Sequence, residues 1–232
     1  MTTGARRRMG VEERREQLIG VALDLFSHRS PEDVQIDEIA EAAGISRPLV
    51  YHYFPGKQQL YEAALGRAAE ELAARFVEPH EGPLGARLLR VMERFFDFVD
   101  DHGPGFSALM RGGPATGSQS RTGAMIDGVR QAAHDQILAH LDVLDPPPRL
   151  TLVVRSWISL AETTALLWLD GRRIAREELE RQLVHDFAAL VAVSAAYDAR
   201  MAEILRRMLA DEPADGMFAE LVARLMELPQ PV

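Results

Sequence analysis

At 232 residues, with 47% apolar and 26% charged side chains, the chain has the composition of an ordinary globular protein and enough length for one large or two unequal domains. The absence of cysteine excludes a disulfide framework, a thiolate nucleophile and a cysteine-based zinc site. A formal net charge of −9 argues against a polyanionic partner only until the charge is placed, because residues 1–60 hold 8 Lys+Arg against 9 Asp+Glu and the acidity falls on the rest.

The N-terminus, MTTGARRRMG, runs into charged VEERREQ rather than an apolar signal core. No stretch approaches the roughly 20 uninterrupted apolar residues of a membrane span, so the expected location is the cytoplasm, with no membrane partner. From Glu12 to His28 the apolar residues Leu18, Ile19, Ala22, Leu25 and Phe26 recur at helical spacing. After SPED a short helix is expected over Ile36–Ala43, burying Ile36, Ile39, Ala40 and Ala43. Gly44 suits the left-handed conformation that ends a helix, Ile45 is expected to point inward, and Ser46 to cap a third helix whose first turn tolerates Pro48. Pro55 and Gly56 stop that helix after Phe54.

The remainder reads as helices: Lys57–Val77, Leu84–Asp101, Phe106–Arg111, then the polar glycine-rich loop GGPATGSQSRTG, then Ala124–Leu144 with Met125, Val129, Ala133, Ile137, Leu141 and Leu144 in register. Pro146, Pro147 and Pro148 block continuation. Helices over Arg149–Leu169 and Arg176–Tyr197 flank DGRRI, and shorter ones are expected over Ala199–Ala210 and Asp215–Leu228. The expected fold is all-α, with a three-helix domain over 1–56 and a larger helical domain over 57–232.

Helix, glycine turn, helix is the arrangement that sets a second helix into a DNA major groove. Small Ala40 at the crossing, Gly44 in the turn, and Ile45, Val50 and Phe54 on the inner side stand at the required offsets. The outer side then presents Arg47, Leu49, Tyr51, His52 and Tyr53. Arginine can donate twice to a guanine edge, tyrosine hydroxyls reach phosphates, and Leu49 or the rings pack on thymine methyls. Lys57, the sole lysine, begins the next helix, where ammonium and free backbone N–H groups together favour a phosphate. For the two tyrosines the competing account is burial in a small helical core, and Arg6, Arg7 and Arg8 read either as a minor-groove arm or as a solvated tail.

The stretch IDEIAEAAGISRPLVYHYFPGKQQLYEA resembles the DNA-binding domain of the TetR family of transcriptional regulators, and the likeness covers residues 12–65. What the resemblance implies is a homodimer binding a palindromic double-stranded operator, most simply as a repressor. Its larger domain would bind a small molecule that swings the helix at 57–77 and changes the spacing of the recognition helices. By position, Tyr51 and Tyr53 fall on the aromatic sites that touch backbone and bases, Lys57 on the phosphate-contacting lysine, and Arg47 and Pro48 where sequence discrimination varies. This chain departs from the pattern with Ser30 and Pro31 in place of a glycine, and with Gln35 where a threonine or serine would cap; Gln35 can still bond a phosphate.

In the larger domain Phe95, Phe96, Val99, Phe106, Met110, Met125, Val129, Trp157, Leu160 and Trp168 supply large adaptable apolar side chains of the kind that line a ligand cavity, although plain core is the commoner use. A hydrophobic or amphipathic effector would suit them. Within SWISLAETTALLWL the polar Ser159, Glu162, Thr163 and Thr164 orient a ligand, pair across a dimer interface, or satisfy one another, and Glu162 or Arg155 is placed to select a charged end. The two long helices at 149–169 and 176–197 are apolar on more than one face, as in a four-helix dimer bundle. Enzymatic readings find little support: the histidines are scattered without metal-ligand spacing, GGPATGS lacks a phosphate-loop lysine, and no serine stands in a nucleophile elbow. No metal and no cofactor are expected. The reading from another class is a helical carrier or protein-interaction module that does not use DNA.

Overall fold

The computed structural model describes residues 10–111 and 121–227, and all regular structure among them is α-helical. Arg6, Arg7, Arg8 and most of the expected glycine-rich loop lie outside the described residues. In chain order the helices are α1 (Val11–His28), α2 (Ile36–Ala42), α3 (Arg47–Tyr53), α4 (Lys57–Arg75), α5 (Leu84–Asp101), α6 (Gly103–Arg111), α7 (Arg121–His140), α8 (Pro148–Gly171), α9 (Arg176–Ala195), α10 (Ala199–Ala210) and α11 (Met217–Met226).

The chain divides into two compact units, one of Met1–Glu70 with His102–Met125, the other of Glu71–Asp101 with Ile126–Val232. The division therefore falls inside α4 and not at residue 56, for a packing reason. Leu60 and Ala64, from the first half of α4, are buried in the same cluster as Leu18, Ala22 and Phe26 of α1, Ile36, Ile39 and Ala40 of α2, and Val50 and Phe54. A three-helix unit ending at residue 56 would leave that apolar face uncovered, at roughly 1.5–3 kcal/mol per large side chain. α6 joins this unit by lying against α1. A Cβ placed on Gly105 would come within 2.9 Å of the Phe26 carbonyl oxygen, so the close approach needs glycine.

In the second unit α8 packs on α9. Trp157 meets Phe187 edge-on at 5.3 Å, and its indole N–H donates to the Leu183 carbonyl at 2.7 Å, which satisfies a polar group at the centre of the core. α5 covers the other end of α8, where Phe96 meets Trp168 at 5.5 Å, and α10 and α11 pack on α9. Against the expectation that no segment suits a membrane, α8, with a mean hydropathy of 1.3 over its best window, is long and apolar enough to cross one. Its buried residues Leu150, Val153, Val154 and Trp157 are core residues of this unit.

Three boundaries differ from expectation by three residues or more. α6 begins at Gly103, since proline is tolerated in a first helical turn, so that His102 alone separates it from α5. α7 begins at Arg121 and stops at His140: Asp142 adopts a left-handed conformation, φ 51°, ahead of the prolines. Leu144, expected on the buried face of that helix, is consequently fully exposed.

The end of α7 carries a buried histidine. Arg87 Nη1 lies 2.9 Å from His140 Nδ1, which makes that nitrogen the acceptor of a neutral ring, and His80 stacks on it at 4.5 Å. Burial first, then the charge of Arg87 with His80 close by, pushes the His140 pKa down to about 4. The unfolded chain titrates near 6.5, so between that pH and 4 it takes up a proton the folded state refuses, and stability falls as pH falls through that window. In denaturant titrations of wild type and His140→Gln at pH 7 and pH 4.5, the acid-induced loss is expected to be smaller in the variant by about 2 kcal/mol.

Candidate nucleic-acid interface

The turn between α2 and α3 is a closed hydrogen-bonded cap. Gly44 is left-handed at φ 66°, its N–H donates to Glu41 O at 3.0 Å, and the Ile45 N–H donates to Ala40 O at 3.0 Å. This pair of bonds satisfies the last carbonyls of α2 and redirects the chain with little angular freedom. Ile45 is half-buried and packs against the core rather than sitting wholly within it. Ser46 occupies the N-cap position of α3, but its hydroxyl makes no capping bond; its carbonyl accepts from Leu49 and Val50.

From there α3 sorts its residues by face. Val50 is fully buried and Phe54 nearly so, while Arg47, Pro48, Leu49, Tyr51 and His52 are exposed. Leu49 and Tyr51 are 37% and 41% exposed, so both side chains are accessible on this side of α3. Tyr53 departs from the expected outer set: its ring is half-buried against the three-helix core and meets His52 edge-on at 5.3 Å. It buttresses the histidine.

The Arg47 guanidinium reaches back across the turn. Its Nη1 donates to Asp37 Oδ2 on α2 at 3.0 Å, its Nη2 lies 3.5 Å from the Tyr51 hydroxyl, and its Cζ stands 5.6 Å from the Tyr51 ring centroid. Asp37 is not among the residues expected from sequence; as the second residue of α2 it has the look of an ordinary first-turn acid.

Lys57 is used differently from the expectation that it holds a phosphate. Its ammonium donates to the carbonyls of Pro31 at 2.8 Å, Glu32 at 3.4 Å and Val34 at 3.0 Å. An ammonium has three N–H bonds, so in this arrangement none is left over. Arg29, at the end of α1, donates to the remaining carbonyl of the loop, that of Asp33, and to Glu38 Oε1 at 2.7 Å. Glu38 Oε2 in turn accepts the backbone N–H of Gln35 at 2.8 Å. The cap of α2 is therefore supplied by Glu38, which compensates for the missing threonine or serine, and the Gln35 side chain is left exposed at the helix start.

The residues expected to line one ligand cavity do not share one face. Phe106, Met110 and Met125 belong to the first unit. In the second, Phe95, Phe96, Val99, Trp157 and Trp168 are buried and Val129 is half-buried, whereas Leu160 and Thr163 lie on the exposed side of α8. Glu162 is held by Arg130 through bonds of 2.9 and 2.8 Å, and Arg155 donates to Gln131 at 3.2 Å. Thr163 and Ser159 bond back to carbonyls one turn earlier, at 2.8 and 3.2 Å. Ser159, Glu162 and Thr163 thus have partners within the chain, in backbone carbonyls of α8 and in Arg130. A groove of about 290 Å³ lies elsewhere, between the α7–α8 turn and α10, with Leu144, Pro147 and Arg200 among its walls.

This geometry is that of a helix-turn-helix protein, and comparison with known proteins places it further. Residues 18–64 match the model of bacterial regulatory proteins of the tetR family, and residues 84–190 match a tetracyclin repressor-like C-terminal domain. A tetR-family transcriptional regulator from Streptomyces coelicolor is 76% identical, over 95% of this chain and 99% of that one, with a TM-score of 0.91. The HTH-type transcriptional activator FasR of Mycolicibacterium smegmatis is 28% identical over 170 residues, 72% of this chain and 77% of that protein. The Bacillus subtilis regulator FadR, solved in complex with stearoyl-CoA, is 13% identical with a TM-score of 0.58 over 74% of this chain and 96% of that one, a likeness of fold alone. The chain belongs to the TetR family and is a ligand-responsive, DNA-binding transcriptional regulator.

Lys57→Met keeps the apolar stem and removes the donors to the loop. It is expected to cost about 1–3 kcal/mol of stability and to weaken DNA binding while leaving the slope of log K against log salt unchanged. A slope smaller by about 1 would place the ammonium on a phosphate instead.

Proposed function

We propose that the protein acts in the cytoplasm as a homodimer that docks the outer face of α3 in successive major grooves of a palindromic operator and represses by occupying that DNA. The observation that carries the reading is the division of α3 into a buried face, Val50 with Phe54, and an exposed face, Arg47, Leu49, Tyr51 and His52. Arg47 and Leu49 would meet base edges; Gln35, Ser46, Tyr51 and His52 would meet phosphates. Since FasR bears the name of an activator, the sign of regulation follows from where the operator lies relative to the promoter and not from the fold.

The dimer is supported by α8 and α9. Their facing sides are buried, yet Leu152 and Leu167 of α8 and Val193 of α9 are 63%, 67% and 63% exposed, among small exposed residues Ser156, Ser159, Ala189 and Ala192. Two such stripes brought together from two copies would make the four-helix interface. The effector is assigned to the second unit and to the hydrophobic or amphipathic class, supported by the aromatic cluster of Phe95, Phe96 and Trp168 beside α8. The chain passes between units through the body of α4, at His102 and through the body of α7, so a change in the second unit has three covalent routes to the first.

Selection of bound duplexes from a random pool is expected to return a two-fold symmetric site whose half-sites are about 34 Å apart or somewhat more. Tyr51→Ala should lose the enrichment, and failure of the wild type to enrich any sequence at low salt would defeat the reading. Val193→Arg, placed on the exposed stripe, should sediment as a monomer and recover only single half-sites; a variant that stays dimeric would move the interface elsewhere.

A further inference from the structure

The Arg47–Asp37 pair joins the two helices of the motif on its exposed side. Both side chains are largely in solvent, at 54% and 64% exposure, where an ion pair adds little to folding. The packed turn already fixes the relation of α2 to α3, through Gly44 and the burial of Ile39, Ala40 and Val50. A tie that the fold does not need, made by the one arginine of the recognition helix, has a different use.

We propose that Asp37 is a specificity-determining positioning residue, which holds the Arg47 guanidinium so that its Nε–Nη2 edge meets a guanine in each half-site. The proposal rests on the reading of α3 as the groove-facing helix. A guanidinium carries five N–H donors on a rigid plane. Asp37 takes Nη1, and the ring of Tyr51, with its hydroxyl 3.5 Å from Nη2, limits rotation on the other side. Two donors that match guanine O6 and N7 remain. Free arginine would choose among phosphate, solvent and several base edges; arginine held on one side gives up part of that freedom before DNA arrives, so less is lost on docking. When duplex displaces water from the pair the local dielectric falls and the tie strengthens. Asp37 also carries a cost, because a carboxylate on this face repels phosphates. The two effects have opposite signs and are separable: the charge acts on every sequence, the hydrogen bond on one position of the site.

The test uses full-length protein, duplex selection with sequencing, and anisotropy titration on a non-cognate duplex. Asp37→Ala is expected to lose roughly tenfold of the guanine preference at one position in each half-site, leaving the other positions intact, while binding non-cognate DNA more tightly than wild type. Asp37→Asn removes the charge but keeps an acceptor, so it should bind non-cognate DNA more tightly as well, yet retain the guanine preference to within about twofold. Arg47→Ala should lose the same preference. Equal thermal midpoints for the two Asp37 variants and wild type will separate recognition from folding. An Asp37→Ala motif identical to that of wild type, with Arg47→Ala altered, would overturn the positioning role alone. An unchanged motif in Arg47→Ala would remove the reading of α3 on which it rests.

Discussion

Four consecutive loop carbonyls, from Pro31 to Val34, accept hydrogen bonds from cationic side chains, three from Lys57 and one from Arg29. A connecting loop outside the regular helical ladders is ordinarily the loosest part of a small helical unit. Here the first residue of α4 and the residue after α1 close on it from two sides, and Glu38 extends the brace by bonding Arg29 and the Gln35 N–H together. The start of α2 is thereby fixed. Because the Gly44 cap fixes its end relative to α3, the placement of the recognition helix descends from this loop through two joints that have little play.

That chain of constraints accounts for which parts of the site were legible in the sequence. Gly44 could be read because a left-handed cap has a residue type of its own. The two faces of α3 could be read because Val50 and Phe54 are four apart and apolar. The bonds of Lys57 to the loop were not legible because its partners are backbone carbonyls 23 to 26 residues away, and a carbonyl has no letter in a sequence. The half-burial of Tyr53 was not legible for a related reason: tyrosine is at home on a surface or against a core, and only the packing of its own unit decides. Asp37 went unnoticed because the tie to Arg47 exists only once the turn is folded.

The second unit was legible as helices and much less so as a site. In a layered bundle nearly every helix has an apolar face, so Trp157 packed against α9, Trp168 against α5 and Leu160 on the outer side of α8 all look alike in sequence. What separates them is the direction each takes around α8, which turns with the helix and depends on three neighbours. The polar residues of α8 were legible as an anomaly, and their resolution is local: Ser159 and Thr163 bond to the preceding turn and Glu162 to Arg130.

The acidic net charge also takes on a different meaning once placed. The acids that begin α2 are each matched, Glu38 by Arg29 and Asp37 by Arg47, so the face around the recognition helix is closer to neutral than a count of acids suggests. The hydrogen bond from Arg29 holds the Glu38 carboxyl below the usual carboxylate range, which keeps that side of the balance in place at neutral pH. If α3 docks by a face of balanced charge, the protein would draw less on the sequence-independent attraction of the phosphates and more on contacts that only the right site provides.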